Sequence, residues 1–480
     1  MIINRVMLIL LILAFPLGLK AQNGIGWLFE PTPNDSVEKE SFENHSSILP
    51  KIRQTNKSEN GIKFVNPLNF IPIVDAGINY KNELGYRIAG GGYFESNRNW
   101  NKFYIRAGML AGIESADSLT SAKYEFSDSM QSLKSLIQPS IRLAFTPNHI
   151  FNFQIGHDKN FIGEGNRSLF LSDFGKPYYF GQIRARFWHV EYTILYQFLN
   201  ENYKSLKAQK FAASHYLSWN ISKKINLGVF ETVIFQPKDT LLYRGFDVEY
   251  LNPVVLFRPQ EYAIGSADNV LLGACFSVKH KKQTLYGQLI VDEFLLSEIR
   301  AKSGWWANKY GGQLGIKGLL KLRNESIFYR LEANAVRPYT YSHVNNLQNY
   351  GNQNNTLSHP YGANFIEILM EIKWQRKNWF AKLFTNGGYQ GLDKEGKSFG
   401  GNIYLPYTLR PTNYNNELGQ GIRNNFFRIN LHLAYKLSVK GNINAFAELQ
   451  YRYDSALNQK SYLIPFIGIR SYLWNDYRNY

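Results

Sequence analysis

The chain has 480 residues, of which 19% are charged and 15% aromatic, and its formal net charge is +17. Tyrosine, phenylalanine and glycine are abundant (32, 33 and 38 residues), which is typical of β structure. Beyond the N-terminus there is no apolar run of about 18 residues, so no transmembrane helix is expected. This absence does not exclude a transmembrane barrel, because the strands of such a barrel show only alternating segments of about ten residues.

The N-terminus predicts an exported protein. Met1–Ala21 has a basic Arg5, an apolar core and Ala21 at a cleavage position, which is the pattern of a signal peptide. The only cysteine, Cys275, cannot form an internal disulfide. The positive charge favours an anionic partner such as an acidic polysaccharide or lipopolysaccharide, although solvated loops near membrane phosphates would also explain it. Export argues against nucleic acid as a partner.

Residues 22–66 are polar and are interpreted as a periplasmic extension. Alternation of apolar and polar residues begins near Phe70 and recurs to the C-terminus, which predicts about 16 to 18 strands. Glu114–Gln138 interrupts the alternation. In it Met130, Leu133 and Ile137 recur at helical spacing, so a short helix outside the barrel wall is expected there.

Short connections alternate with long ones along this region. Val439–Asn442 is short, whereas Tyr339–Gly362 and Gly391–Asn425 are long. Short turns at one end and long loops at the other are typical of an outer-membrane barrel. Closure pairs every backbone N–H and C=O in lipid, since a closed barrel has no edge. We therefore predict an all-β, antiparallel transmembrane barrel over residues 67–480. A soluble array of β-sandwiches would need repeated domain boundaries, and the sequence shows none.

Aromatic residues near the predicted strand ends suit the two interfacial girdles of such a barrel. They include Trp188, Trp219, Trp374 and Trp379.

The stretch Phe151–Asp173 (FNFQIGHDKNFIGEGNRSLFLSD) begins as a strand and then becomes polar. Gly163-x-Gly165 followed by Arg167 and a serine suggests a phosphate cradle. A phosphate loop needs a helix after it, however, and another alternating run follows instead. An inward fold of the barrel is the favoured interpretation.

Charged residues in and after this stretch predict a polar network in the lumen, where carboxylates and cations pair. Two neighbouring carboxylates could instead perform acid–base catalysis, but buried charges need partners in any barrel, and no enzyme activity is expected. No histidine has tight metal-ligand spacing, and no cofactor is predicted. The residues predicted for the network are Asp158, Lys159, Glu164, Arg167, Asp173, Arg258, Glu261, Asp268, Asp292 and Glu293.

Two long loops are rich in tyrosine, asparagine and histidine, residue types that bind sugars by stacking and hydrogen bonding. Polar surface loops without a ligand are the alternative interpretation. The candidate carbohydrate contacts are Tyr339, Tyr341, His343, Tyr350, His359, Tyr361, Tyr404, Tyr407 and Tyr414.

Three sequence blocks together resemble the Wzi-like outer-membrane barrels of capsule assembly. They are Gly156–Asp173, Asn252–Gly273 (NPVVLFRPQEYAIGSADNVLLG) and Leu285–Phe294 (LYGQLIVDEF), the last followed by Lys309–Gly315 (KYGGQLG). The resemblance is greatest to a Bacteroidota branch that includes proteins labelled gliding motility protein RemB. It covers roughly residue 66 to the C-terminus.

This resemblance implies a barrel of about 18 strands whose lumen is filled by loops and periplasmic helices. It also implies that the protein holds polysaccharide at the cell surface, or takes part in surface movement together with other envelope proteins. A diffusion porin is the third hypothesis.

Overall fold

The computed structural model describes residues 48–49, 68–80, 84–96, 103–115, 133–148, 150–203, 206–237, 245, 248–251, 268–394, 396–438, 443–457 and 461–471. The predicted signal peptide and most of the predicted N-terminal extension lie outside these residues. No helix in the described part of the chain is long and apolar enough to cross a membrane.

Eighteen antiparallel strands form one closed barrel, which confirms the predicted all-β fold. Its wall consists of β2 (Leu68–Tyr80), β3 (Leu84–Ser96), β4 (Phe103–Ser115), β5 (Leu133–Phe145), β6 (Phe151–Asp158), β8 (Tyr178–Phe187), β9 (Val190–Tyr203), β10 (Leu206–Asn220), β11 (Ile225–Phe235), β12 (Asn269–His280), β13 (Gln283–Glu293), β14 (Lys309–Leu322), β15 (Glu325–Val336), β18 (Phe365–Arg376), β19 (Trp379–Leu392), β20 (Ile422–Ser438), β21 (Ile443–Asp454) and β22 (Ser461–Ser471). The barrel closes where β2 pairs with β22, with Asp75 opposite Arg470.

Four strands of two residues each lie outside the wall. They are β1 (Ile48–Leu49), which pairs with β7 (Phe161–Ile162), and β16 (Gly351–Asn352), which pairs with β17 (Asn355–Thr356). One helical turn, α1 (Leu296–Arg300), lies between β13 and β14.

The wall is apolar outside and polar inside. In β6, Phe151, Phe153 and Ile155 are 39%, 39% and 60% exposed, whereas Asn152 and Gln154 are 5% and 1% exposed. A soluble protein would bury the aromatic face of this strand. Successive side chains of a strand point to opposite faces, so the same alternation places apolar side chains in lipid and polar ones in the lumen.

The two ends of the barrel differ in the length of their connections. At one end the turns span residues 188–189, 281–282, 323–324 and 377–378. At the other end the connections span residues 159–177, 236–268, 294–308, 337–364 and 393–421. Short turns face the periplasm in barrels of this kind, and long loops face the cell exterior.

The predicted tryptophans fall at one end rather than at two. Trp188 lies in the β8–β9 turn, and Trp219 and Trp379 lie at the short-turn ends of β10 and β19. Trp374 lies near the same end of β18. These residues therefore mark the periplasmic girdle only.

The helix predicted within Glu114–Gln138 is wrong for the described residues. Leu133 begins β5, which pairs with β4 from Ser115 opposite Leu133 to Phe103 opposite Phe145. Ile137 is 70% exposed on the outer face. In lipid, β4 must find a partner for each backbone polar group, and this requirement outweighs the apparent helical spacing. Residues 116–132 of the predicted excursion lie outside the described residues.

Two of the long loops fold into the barrel instead of leaving it. We call residues 159–177 and 337–364 the luminal plug. Their side chains share one buried cluster with inward-facing residues of the wall, and the plug contributes Leu169, Phe170, Tyr341, Tyr350 and Tyr361 to it. The interpretation of residues 339–361 as a surface loop is therefore wrong, because the tyrosines are buried by the apolar cluster.

Candidate functional site

The glycine-rich segment of the plug binds an anion that belongs to the protein itself. The backbone N–H of Asn166 donates to Oε2 of Glu332 at 2.8 Å, and the N–H of Arg167 donates to Oε1 at 3.2 Å. A Cβ at Gly165 would lie 2.4 Å from Glu332 Oε2 and 2.6 Å from the backbone oxygen of Arg167, so a side chain there would displace the carboxylate or the turn. Consecutive N–H groups in such a turn attract anions. The carboxylate on β15 occupies the position that a phosphate would take in a nucleotide loop.

A buried ion pair joins the plug to β18, the strand next to β15 in the wall. Arg167 lies 3.4 Å from Glu367 on β18, and both side chains are fully buried. Glu367 also contacts Nε2 of His359 at 2.8 Å and accepts from Asn386 at 2.7 Å. Burial lowers the pKa of the His359 side chain, although the neighbouring Glu367 opposes this effect. These contacts join both loops of the plug to β18 and β19.

The plug also spans the full width of the lumen. The N–H of Asn200 on β9 donates to Asn352 at 3.0 Å, while Arg428 on β20 donates to the hydroxyl of Tyr361 at 2.7 Å. β9 and β20 are nine positions apart in either direction around the ring of eighteen strands, so they are diametrically opposite. Burial raises the pKa of Tyr361 to about 12, which keeps its hydroxyl protonated.

Five of the predicted network residues form ion pairs or hydrogen bonds with other residues of the wall, the plug or the long connections. Asp158 lies 2.6 Å from Arg106 and 3.1 Å from Arg142, so it pairs with the wall and not with Arg167. Asp292 lies 2.9 Å from Lys309 and accepts from the N–H of Tyr341. Further contacts link Glu293 with Lys309 at 3.5 Å, Glu164 with Lys317 at 2.7 Å, and Asp268 with Tyr250 and Gln348 at 2.8 and 3.0 Å.

The remaining predicted network residues have fewer described contacts with the plug or lie outside the described residues. The backbone oxygen of Lys159 accepts from Arg142 at 2.9 Å. Asp173 is half-buried in the first plug loop. Arg258 and Glu261 lie outside the described residues.

Sequence reasoning missed the wall residues that receive the plug, above all Glu332, Glu367 and Gln288. Gln288 accepts from the N–H of Leu169 at 2.8 Å. Each of these residues occupies an inward position of a period-two strand. An isolated polar residue among apolar neighbours was therefore the available signal.

The predicted carbohydrate contacts separate by burial. Tyr339, Tyr341, Tyr350 and Tyr361 are at most 2% exposed, and His359 is fully buried. The hydroxyl of Tyr341 donates to the carbonyl of Leu169 at 2.9 Å, so this ring joins the two plug loops. His343 is 6% exposed, and Tyr404 is half-buried and donates to the carbonyl of Asn355 at 2.8 Å. Tyr407 is also half-buried, and Tyr414 is 48% exposed.

These two tyrosines belong to an aromatic cluster at the extracellular end, which we call the aromatic rim. Its members are Trp305, Trp306, Tyr407, Arg410 and Tyr414. The ring centroids of Trp306 and Tyr407 are 4.6 Å apart, and those of Trp305 and Tyr414 are 5.0 Å apart. The guanidinium of Arg410 lies 4.0 Å from the Trp306 ring centroid. No single sequence block predicted this cluster, because two loops distant in sequence supply it.

Backbone hydrogen bonds between the loops hold the rim together. The N–H of Trp306 donates to Asn413, and the N–H groups of Asn415 and Asn416 donate to Ser303 and Gly304, each at 2.9 Å. Gly304 has a φ of 64°, and a Cβ there would meet the Asn415 backbone at 2.7 Å. The close approach of the two loops therefore requires glycine.

Two hydrogen bonds fix Arg410. Its Nε donates to Asn413 Oδ1 at 2.8 Å, and Nη1 donates to the Tyr407 carbonyl at 2.9 Å. Among the described residues no Asp or Glu forms an ion pair with it. A preordered arginine above an aromatic ring can bind a carboxylate or phosphate.

Metal chemistry has no support in the described part of the chain, where no three His, Cys, Asp or Glu residues cluster suitably to hold a metal ion. The predicted lack of enzyme activity stays a prediction.

The closed wall, its apolar outer face and its polar lumen define an outer-membrane β-barrel. No protein-family model and no curated protein matches this chain. Among solved structures it is similar to Wzi, a carbohydrate-binding β-barrel involved in group 1 capsule assembly in Escherichia coli. That alignment has a TM-score of 0.55 and 13% identity and covers 85% of both chains. OprD of Pseudomonas aeruginosa also matches, with a TM-score of 0.42, 9% identity and coverage of 84% of this chain and 94% of that one. Identity this low shows the fold alone.

Proposed function

We propose that this outer-membrane barrel retains an acidic polysaccharide at the cell surface and that the aromatic rim binds it. The observation that carries the proposal is the pairing of the half-buried Trp305 with the 48% exposed Tyr414, next to Trp306 and the preordered Arg410 above it. Aromatic rings offer apolar faces for sugar rings, and arginine offers donors for uronic acid or phosphate groups. The net charge of +17 and the likeness to the Wzi fold support the same proposal.

The luminal plug favours retention over passage. Hydrogen bonds from β9 to Asn352 and from β20 to Tyr361 tie the plug to opposite walls, so it crosses the route that a solute would follow. A diffusion porin would therefore need the plug to move. We expect almost no ion conductance from the purified protein in a planar bilayer, and steady porin-like conductance would favour the porin hypothesis.

The decisive experiment combines gene deletion with rim variants. Deletion should release surface polymer into the medium, and the wild-type gene should restore cell-bound polymer. The double variant Trp305→Ala/Tyr414→Ala should reach the outer membrane yet fail to restore retention. A matched control is Trp379→Ala, because Trp379 is 45% exposed at the periplasmic end.

The same deletion separates retention from the motility hypothesis. If cell-bound polymer is unchanged while colony spreading stops, a role in gliding or adhesion with other envelope proteins replaces the retention proposal. Restoration of retention by the double rim variant would remove the rim as the binding site.

A further inference from the structure

The connection between β13 and β14 exposes apolar side chains that no residue in the described part of the chain buries. Phe294, Leu295, Leu296 and Ile299 are 56%, 51%, 49% and 39% exposed. We call residues 294–302 the interfacial finger; it contains α1, none of whose residues is buried. Several consecutive exposed apolar residues on a loop indicate a contact surface, since water alone would not favour them.

The finger begins where the lipid-facing surface ends. On the outer faces of β13 and β14, Leu285, Leu289 and Leu314 are 42%, 50% and 55% exposed. The outward positions of β13 continue to Val291, which lies opposite Tyr310 and three residues before Phe294. Tyr310 on the outer face of β14 occupies the same level, where aromatic residues line the membrane–water interface. The apolar finger is thus continuous with the surface that contacts acyl chains.

The charges and geometry of α1 fit the same location. Leu296 and Ile299 lie three positions apart and share one face of the helical turn, whereas Ser297 and Glu298 lie on the other. Arg300 ends the turn and is exposed, as is Lys302. Apolar residues with basic residues beside them are typical of segments that lie in the headgroup region.

The finger is held in place from its own ends. The N–H of Leu295 donates to Asn308 Oδ1 at 2.7 Å, which closes the base of the connection. The hydrogen bond from Trp306 to Asn413 fixes the chain after the finger. These two hydrogen bonds fix the chain on either side of the finger. The apolar residues between them therefore project from the barrel without disturbing the aromatic rim.

We infer that the interfacial finger lies in the outer leaflet, with Leu296 and Ile299 among the acyl chains and Arg300 at the lipid phosphates. The inference does not depend on the proposed function. It assigns the finger a membrane contact that anchors one side of the extracellular end.

Depth-dependent fluorescence quenching tests this inference on the full-length chain. Single cysteines are introduced in a Cys275→Ser background, labelled with an environment-sensitive fluorophore, and reconstituted into nanodiscs of phosphatidylcholine and phosphatidylglycerol with or without 5-doxyl lipid. Leu296→Cys and Ile299→Cys report on the finger. Leu289→Cys is the lipid-facing reference, and Leu409→Cys, at a site 43% exposed on another extracellular loop, is the aqueous reference.

We expect labels at 296 and 299 to lose at least half as much emission as the label at 289, while the label at 409 is unaffected. Ser297→Cys on the other face of α1 should be quenched less than Ile299→Cys. Quenching at 296 and 299 no stronger than at 409 would overturn the inference, including the case in which these residues instead contact a second copy or another protein. Heat-dependent migration on gels verifies that each variant is folded.

Discussion

The luminal plug and the aromatic rim use the same residue types but differ in burial and in partners. In the plug, Tyr341 and Tyr361 are at most 2% exposed and their hydroxyls bond to protein groups. In the rim, Tyr414 is 48% exposed and Arg410 lacks an acidic partner among the described residues. Burial with satisfied hydrogen bonds specifies a structure, whereas exposed rings beside an unpaired charge remain available for a ligand. The comparison predicts that plug variants affect stability and rim variants affect binding.

The largest expected effect comes from breaking the buried ion pair of the plug. Arg167→Ala should destabilise the folded barrel by about 3–5 kcal/mol, because it leaves Glu367 buried without its guanidinium. It should also raise the conductance of the reconstituted protein. Thermal unfolding followed by gel migration, together with planar-bilayer recording, measures both quantities.

The double variant Arg167→Ala/Glu367→Gln is the control, since it removes the uncompensated charge. It should be more stable than Arg167→Ala alone. Unchanged stability and conductance in Arg167→Ala would contradict the assignment of this pair to the plug.

The second prediction concerns pH and His343, a residue of the plug whose ring centroid lies 6.0 Å from that of Tyr407 in the rim. Burial, helped by the charge of Lys309, lowers the pKa of His343 to about 4 from an ordinary value near 6.5. Between these values the unfolded chain binds a proton that the folded chain does not, so stability falls as pH decreases through this range. From pH 6.5 to pH 5 the loss is about 2 kcal/mol.

His343→Gln should reduce this pH dependence without abolishing it, because burial also lowers the pKa of His359. Chemical unfolding at pH 7 and pH 5 provides the measurement. An identical pH dependence in the variant and the parent would show that His343 is not the responsible group.

The third prediction concerns the rim. Arg410→Ala should weaken binding of an acidic polysaccharide about tenfold, which corresponds to about 1.4 kcal/mol, while the unfolding temperature stays unchanged. High salt should weaken the parent and have less effect on the variant, since the lost interaction is partly ionic. Calorimetric titration gives the affinities.

The matched control for the rim is Arg376→Ala. Arg376 is exposed at the periplasmic end, where it lies 3.3 Å from Glu325. Equal losses of affinity in both variants would indicate a general charge effect and would remove Arg410 as a specific contact.

The sequence predicts the strands of the wall better than it predicts the luminal plug or the aromatic rim. Apolar and polar residues alternate in β6 because the two faces of a single strand meet lipid and lumen, so local residues such as Phe153 and Gln154 are sufficient to predict the strand. The helix predicted near Leu133 failed because strand pairing is non-local. The contact between Gly165 and Glu332 also joins distant segments, and the same glycine motif is compatible with an internal carboxylate or a phosphate. The rim needs two loops to meet, which spacing within either loop cannot indicate.

The smallest predicted effect lies inside the plug itself, at the pair of Glu164 with Lys317. Their charged atoms are 2.7 Å apart, but both side chains are 23% exposed, so water screens the pair. Lys317 also donates to the Glu164 carbonyl at 2.8 Å, a bond that Glu164→Gln retains. The variant should therefore lose less than about 1 kcal/mol in the same unfolding experiment as Arg167→Ala. A loss as large as that of Arg167→Ala would mean that membership of the plug, and not burial, determines how much each contact stabilises the barrel.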